Sequence, residues 1–509
     1  MTATGSATSS VAPLTGAPTT GADAGARLRR ATASAAAIAR RVPSPARVGL
    51  LLAVLLAVYG TGYVGYDTGY ALFWGRQLGH GHGPDFHVQG SPTSHPLNNL
   101  FSALLSIFGP FGSVRAAGAL GLLWLALLGV AAYRLGSRLF WPWAGVVFAL
   151  ILLTRARLLA QALNASIEIP WLALVLGAAA IEARAPRRWP PVMALLAVAG
   201  LLRPETWLLA GAYAVYLLWG SAGRKRWRIV AAALAGPALW LLTDLVLAGD
   251  PFFSLSRTHE VGERDQTTSH SVFAAAGTAV RGVGGILHVA IAVAGVLGIA
   301  YVLVVARRRA WMPLTIFATG TLAFFAIAVS NLPTITRFFF LPSAMLALFA
   351  SAVLTGWRAG SLPRWRGPVL AVCAIAAVAA LAQFPGDLSK ANSSRNYAKR
   401  LHRVEGDLHA LIVSRAGRAT LRRCRTVSVT TFRLRPFFFL WGSPPYPSVE
   451  VRPFAGLRSG AIVRPPNNRP RFAVPPGYRQ VARTPSLTLY EPLARPAHPC
   501  GPTARGAAG

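Results

Sequence analysis

Asp67 stands directly behind a long apolar run, in the segment Tyr66-Asp67-Thr68-Gly69-Tyr70. A carboxylate fixed where a helix leaves a membrane is well placed to act as a general base, taking the proton of an acceptor hydroxyl within hydrogen-bond reach. The plainer reading is that Asp67 caps the helix that follows it. The same polar segment carries Asp85, in Gly83-Pro84-Asp85-Phe86, and closes on Ser91-Pro92-Thr93-Ser94-His95-Pro96-Leu97. His95 suits a phosphate or a sugar hydroxyl, although a lone histidine is more often structural.

The guanidinium fork makes paired bonds to phosphate oxygens and stays charged. Arg203 and Arg337 each open a later apolar run and are the candidates for an anionic group; snorkelling to lipid headgroups is the alternative. Glu205 lies two residues past Arg203. In a helix that spacing keeps the two from facing each other, so Glu205 is expected to orient something else. A polar stretch holds Arg257, His259, Glu260, Glu263, Arg264, Asp265 and His270. It reads as a lid or an acceptor-binding segment, or as a solvated loop. Asp85, His95, Arg203, Glu205, Arg257, His259 and Arg337 are thus the substrate-binding candidates. No cofactor is demanded; a divalent metal held by Asp67, Asp85 and His259 stays open. Asp244, inside an apolar run, is expected to pair with an arginine of a neighbouring helix. Trp74, Trp171, Trp207 and Trp240 suit sugar stacking, but tryptophan also gathers at membrane interfaces.

The elements that must carry these groups are hydrophobic helices. The chain is 53% hydrophobic and only 13% charged, about half the charge of a soluble globular chain. Apolar runs of roughly 20 residues cross a bilayer as helices, and the runs lack the alternation of a barrel. Eleven spans are expected, near 48–65, 114–133, 139–154, 160–181, 189–202, 205–219, 228–248, 284–306, 311–330, 337–356 and 367–384. With the N-terminus inside, every inner loop is basic, for example Arg134 and Arg138, then Arg184, Arg187 and Arg188, then Arg307, Arg308 and Arg309, as the positive-inside rule requires. All acidic residues but Asp23 and Glu182 then fall on or towards the outer face. Carboxylates are costly beside lipid, so those that persist there are candidates for function.

The net charge of +35 is not read as a nucleic-acid signature, because the basic residues sit in short loops between spans. Nearly all are arginine; the lysines are Lys225, Lys390 and Lys399. Residues 1–46 read as a disordered cytoplasmic tail, followed by an uncleaved anchor. Residues 47–384 read as the membrane domain, with long outer loops at 66–113 and 249–283. Within the first loop, Leu97 to Phe111 is amphipathic and suits a helix along the interface. Residues 385–509 read as a small extracytoplasmic α/β or β-rich domain whose basic surface suits anionic headgroups or an acidic wall polymer. Cys373 reads as packing within a span. Cys424 and Cys500 would be free to form a disulfide if their domain is outside.

An inward N-terminus, a long outer loop opening on Asp, about ten further spans and an outer C-terminal domain together resemble the GT-C superfamily of integral-membrane glycosyltransferases. Protein O-mannosyltransferases, aminoarabinose transferases and actinobacterial mannosyl- and arabinosyltransferases belong there. Tyr66-Asp67, Ser91–Leu97, Leu202-Arg203-Pro204-Glu205-Thr206-Trp207 and Gly249-Asp250-Pro251-Phe252-Phe253-Ser254 carry the likeness. The loop has one leading Asp where some members have an Asp-Glu pair. The resemblance implies an inverting transfer of a sugar from a polyprenyl phosphate to a cell-envelope acceptor (glycan, glycolipid or protein) at the outer face, with Asp67 as base. The rival expectation is a lipid-linked sugar flippase or transporter. The inner halves of the spans hold almost no acid, whereas transporters place polar groups near the midplane.

Overall fold

The protein is described here from a computed structural model covering residues 44–264, 272–330, 332, 335–356, 366–455, 457–466 and 472–493. Residues 1–43 of the expected tail, Asp265, His270 and Cys500 lie outside the described residues. Among the described residues there are 18 α-helices and one five-stranded sheet. The chain is a multi-pass membrane protein: mainly α, a helical bundle with a small C-terminal α/β region.

Helix α1 (Ser44–Tyr59) turns through Gly60 and Gly62, both at positive φ, into α2 (Tyr66–Gly79). Glycine is required at position 62: its φ is +71°, and a Cβ there would stand 2.6 Å from the Leu163 carbonyl oxygen. Proline at the first turn starts α3 (Pro96–Leu105). A 3₁₀ turn links α3 to α4 (Gly109–Leu139). Within the stretch expected along the interface, Leu100, Leu104 and Phe108 are exposed and Leu97 is buried.

The next helices are α5 (Pro142–Thr154), α6 (Ala156–Leu163), α7 (Glu168–Arg184), α8 (Trp189–Gly200), α9 (Thr206–Leu218) and α10 (Arg224–Ala248). Gly249, left-handed at φ +77°, ends α10. Then follow α11 (Phe253–Arg264), α12 (Val272–Leu287), α13 (Val289–Val305), α14 (Arg307–Val329), a 3₁₀ turn at Thr336–Phe339 and α15 (Phe340–Leu354). Helix α16 (Arg366–Val413) runs on past the last expected span.

Among the described residues four segments are long and apolar enough to cross a membrane, and up to seven if each of three bent pairs is one span. The bends are 63° between α5 and α6, 104° between α12 and α13, and 42° within α16 near Pro385. Helices also lie at the remaining expected positions, but some are short: α8 has 12 residues and α9 has 13. At 1.5 Å per residue they reach about 20 Å, less than the ~30 Å apolar core. The segment 249–283, expected as a loop, supplies α11 and α12. Its polarity marked exposure and said nothing about regular structure.

After α17 (Arg415–Arg423) comes the sheet: β1 (Thr426–Val429), then α18 (Arg435–Trp441), β2 (Ser448–Val451), β3 (Ala461–Arg464), β4 (Tyr478–Arg483) and β5 (Thr488–Pro492). The order is β2-β1-β3-β5-β4, with β1 parallel to β2 and β3, and β5 antiparallel to β3 and β4. Phe437, Phe438 and Phe439 of α18 bury themselves against Tyr70, Phe73 and Trp74 of α2. Close approach is possible because position 69 is glycine; a Cβ there would sit 2.8 Å from Pro436 Cγ. This aromatic core fixes α2, and therefore Asp67. Cys424 is disulfide-bonded. Cys373 is buried, its Sγ 2.9 Å from the Val353 carbonyl oxygen, in line with a packing role.

Candidate active site

Asp67 occupies the first turn of α2, where the helix dipole favours a carboxylate. The position preceding that helix is filled by Gly65, so capping does not account for Asp67. Its Oδ2 instead accepts from Arg337 Nη1 at 3.2 Å. Arg337 comes from the 3₁₀ turn before α15, and its Nε lies 3.1 Å from Glu168 Oε1. Glu168 is buried at the start of α7 and also accepts from Ser166 Oγ. Arg203 continues the chain of charge: Nη1 is 3.6 Å from Glu168 and Nη2 is 2.6 Å from Glu205 Oε1. Three carboxylates and two guanidiniums thus alternate from the surface inwards.

Exposure is highest at Asp67 and lowest at Glu168, in the middle of the chain of charge. The Asp67 side chain is 44% exposed and that of Glu168 is 1%. A buried carboxylate between two arginines holds both in place, because losing it would strand buried charge. Arg203 is packed between Trp171 and Phe338, its guanidinium carbon 5.0 Å and 4.3 Å from their ring centres.

Asp67 and Arg337 face a cavity of about 410 Å³. One wall is the start of α2 with Gln161, Asn164 and Ser166 at the end of α6. The other is built by Ser394 and Tyr397 of α16 with Phe432 and Arg433 at the approach to α18. Arg433 hydrogen-bonds the Tyr397 hydroxyl. Among the described residues no carboxylate pairs with Arg433. Asn164 presents a buried Oδ1 with no hydrogen-bond partner.

Several expected positions lie elsewhere. Arg203 and Glu205 stand behind the cavity wall and do not line it. Contrary to expectation they face each other, because residues 201–205 form a turn ahead of α9 and not a helix. Asp85 is spent on a local turn: its carboxylate accepts from the His87 amide at 3.0 Å and points away from the cavity lining. His95 packs edge-on against Trp240, with Nδ1 enclosed and unpartnered. Burial, and then the charge of Arg203, push its pKa down to about 4. Arg257 is held by Glu260 and by Ser91 Oγ at 2.9 Å, and His259 lies 3.3 Å from Glu263 on an exposed helix face. Among the described residues no three His, Cys, Asp or Glu side chains converge on a metal position, so Asp67, Asp85 and His259 do not assemble one. Among the described residues Asp244 pairs with no arginine; it accepts from the Ser254 amide and hydroxyl at 3.0 and 2.8 Å, because α11 folds back over its end of α10. Trp74 donates to the Asp85 carbonyl and Trp171 to Thr206. Trp207 and Trp240 meet edge to face. All four are packed and absent from the cavity wall.

Sequence reading missed Gln161, Asn164, Tyr397 and Arg433. Only Arg433 left a signal, as a cation just past a strand, and it was lost among so many arginines.

No protein-family model and no curated protein matches the chain. Among solved structures it is similar to the oligosaccharyltransferase of Archaeoglobus fulgidus, at 13% identity over 82% of this chain and 69% of that one, with TM-score 0.47. It is also similar to ArnT of Cupriavidus metallidurans bound to undecaprenyl phosphate, at 14% identity over 91% and 100%, with TM-score 0.49. The chemistry has to come from the chain's own residues.

Proposed function

We propose that the protein is a glycosyltransferase that moves a sugar from a polyprenyl phosphate to a hydroxyl of a cell-envelope acceptor, outside the cytoplasm and with inversion. One observation carries the reading: Asp67, half-exposed, is held by Arg337 on the wall of a 410 Å³ cavity bordered by apolar helices. The acceptor hydroxyl gives its proton to Asp67 as its oxygen bonds to the anomeric carbon. The carbon–oxygen bond to phosphate breaks, and the lipid phosphate leaves with the electron pair. Arg337 orients the base. It already serves two carboxylates, so the developing phosphate charge falls chiefly to Arg433, the cavity cation free of carboxylate partners among the described residues. Preorganised cations in such a site stabilise a leaving anion far better than water does.

Purified protein in vesicles, given a radiolabelled polyprenyl-phosphate sugar and envelope extract, tests this. Label should pass to an acceptor. Movement of the donor across the bilayer with no transfer would make the protein a flippase and end the proposal.

A further inference from the structure

Three helix breaks meet at one carboxylate. Asp387 lies two residues beyond Pro385, where α16 bends, and is buried. Its Oδ2 accepts from Arg155 Nη2 at 2.8 Å, and Arg155 is the residue at which α5 breaks into α6. Its Oδ1 lies 2.6 Å from His288 Nε2, and His288 is the residue at which α12 breaks into α13. His288 holds φ +67°, a conformation that L residues rarely adopt and that persists only where surroundings enforce it. Arg155 Nη1 also donates to the Leu287 carbonyl at 3.3 Å, and Arg157 Nε to that of Gly285 at 3.0 Å. The α6 side of the junction is therefore tied to the end of α12 twice directly and once more through Asp387.

Each arm leads to the cavity. From Arg155, α6 runs to Leu163, whose carbonyl accepts from the Tyr63 amide at 2.8 Å; the Asn164 carbonyl accepts from Gly65 at 2.9 Å and that of Ala165 from Thr68 Oγ1 at 2.8 Å. Those bonds frame the start of α2 and so place Asp67. Helix α12 packs on the 3₁₀ turn that carries Arg337; a Cβ on Gly282 would stand 3.3 Å from Thr336 Cγ2. Beyond its bend, α16 brings Ser394 and Tyr397 to the opposite wall.

We infer that Asp387 is a positioning residue: by pinning the three breaks to one another it sets the placement of Asp67 against Arg337 and the width of the cavity. It touches no substrate. The inference rests on the proposed transfer for its catalytic consequence, but its structural core stands apart from it. A misplacement of about 1 Å between reacting groups costs on the order of a hundredfold.

Asp387→Asn is compared with wild type in detergent by hydrogen exchange and, where transfer is detected, by kinetics. Exchange at the Tyr63 and Gly65 amides should rise at least tenfold while Val427–Val429 in β1 keep their protection. Turnover should fall ten- to a hundredfold with donor KM within threefold. If Asp387→Asn does not accumulate, His288→Asn removes one arm only and should give the same pattern more weakly. Unchanged exchange at Tyr63 and Gly65 in a folded variant would overturn the inference, whether or not the protein transfers sugar. Absent transfer in wild type would count against the proposed function alone.

Discussion

Two groups of carboxylates stand on this protein, and they behave in opposite ways. On α11, Glu260 pairs with Arg257 three residues away and Glu263 with His259 four residues away, with side chains 63% and 67% exposed. These pairs close within one helix, in water, and are worth little. Around the cavity, Asp67 and Glu168 meet Arg337 and Arg203 from separate elements, and Glu168 is 1% exposed. Those pairs exist only once the chain has folded, and each buried member depends on the others. A local pair satisfies itself and leaves nothing over for chemistry. The long-range set ends in a carboxylate that still faces an open cavity.

The contrast can be broken at its deepest member. Glu168→Gln leaves two arginines without their shared anion and should cost about 3–5 kcal/mol, read as lowered thermal unfolding in detergent. Arg337→Gln leaves Glu168 with Arg203 but frees Asp67. Turnover should drop by about a hundredfold, and Arg337→Lys should recover only part, because the fork that spans two carboxylates is gone. Acid should weaken the fold at His95, which lies behind the cavity against Trp240. His95 titrates near 4 when folded and at about 6.5 when unfolded, so the unfolded chain binds the extra proton between those values. Stability is fully present above 6.5 and is lost as the pH falls towards 4; melting curves at pH 7.5 and 4.5 should converge in His95→Asn. Smallest of all, Glu260→Gln and Glu263→Gln should each change stability by less than about 0.5 kcal/mol and leave transfer within twofold.

The spans were legible because an apolar run near 20 residues has few other uses, and the side chains that leave such runs were legible with them. Asp67 and Arg337 were singled out in that way, each at the end of a run; that they touch was not legible, since nothing in the sequence joined them. Asp85, Arg257 and His259 looked equivalent and are not, since charge in a polar loop reports exposure and not direction. The Arg203–Glu205 pair was misjudged because a helix was assumed where Pro204 makes a turn. Tyr397, Arg433 and Asp387 were illegible for a different reason. They lie in the region after the last span, and only α18 docking on α2 and the bend of α16 bring them back to the membrane domain.

The central claim is that Asp67 takes the acceptor proton. The direct measurement is single-turnover transfer from a polyprenyl-phosphate sugar by wild type and Asp67→Asn, with donor binding followed in parallel. The account expects donor affinity within a few-fold of wild type and a rate lowered by about 10²–10⁴. Transfer at an unchanged rate by a folded Asp67→Asn protein would contradict it.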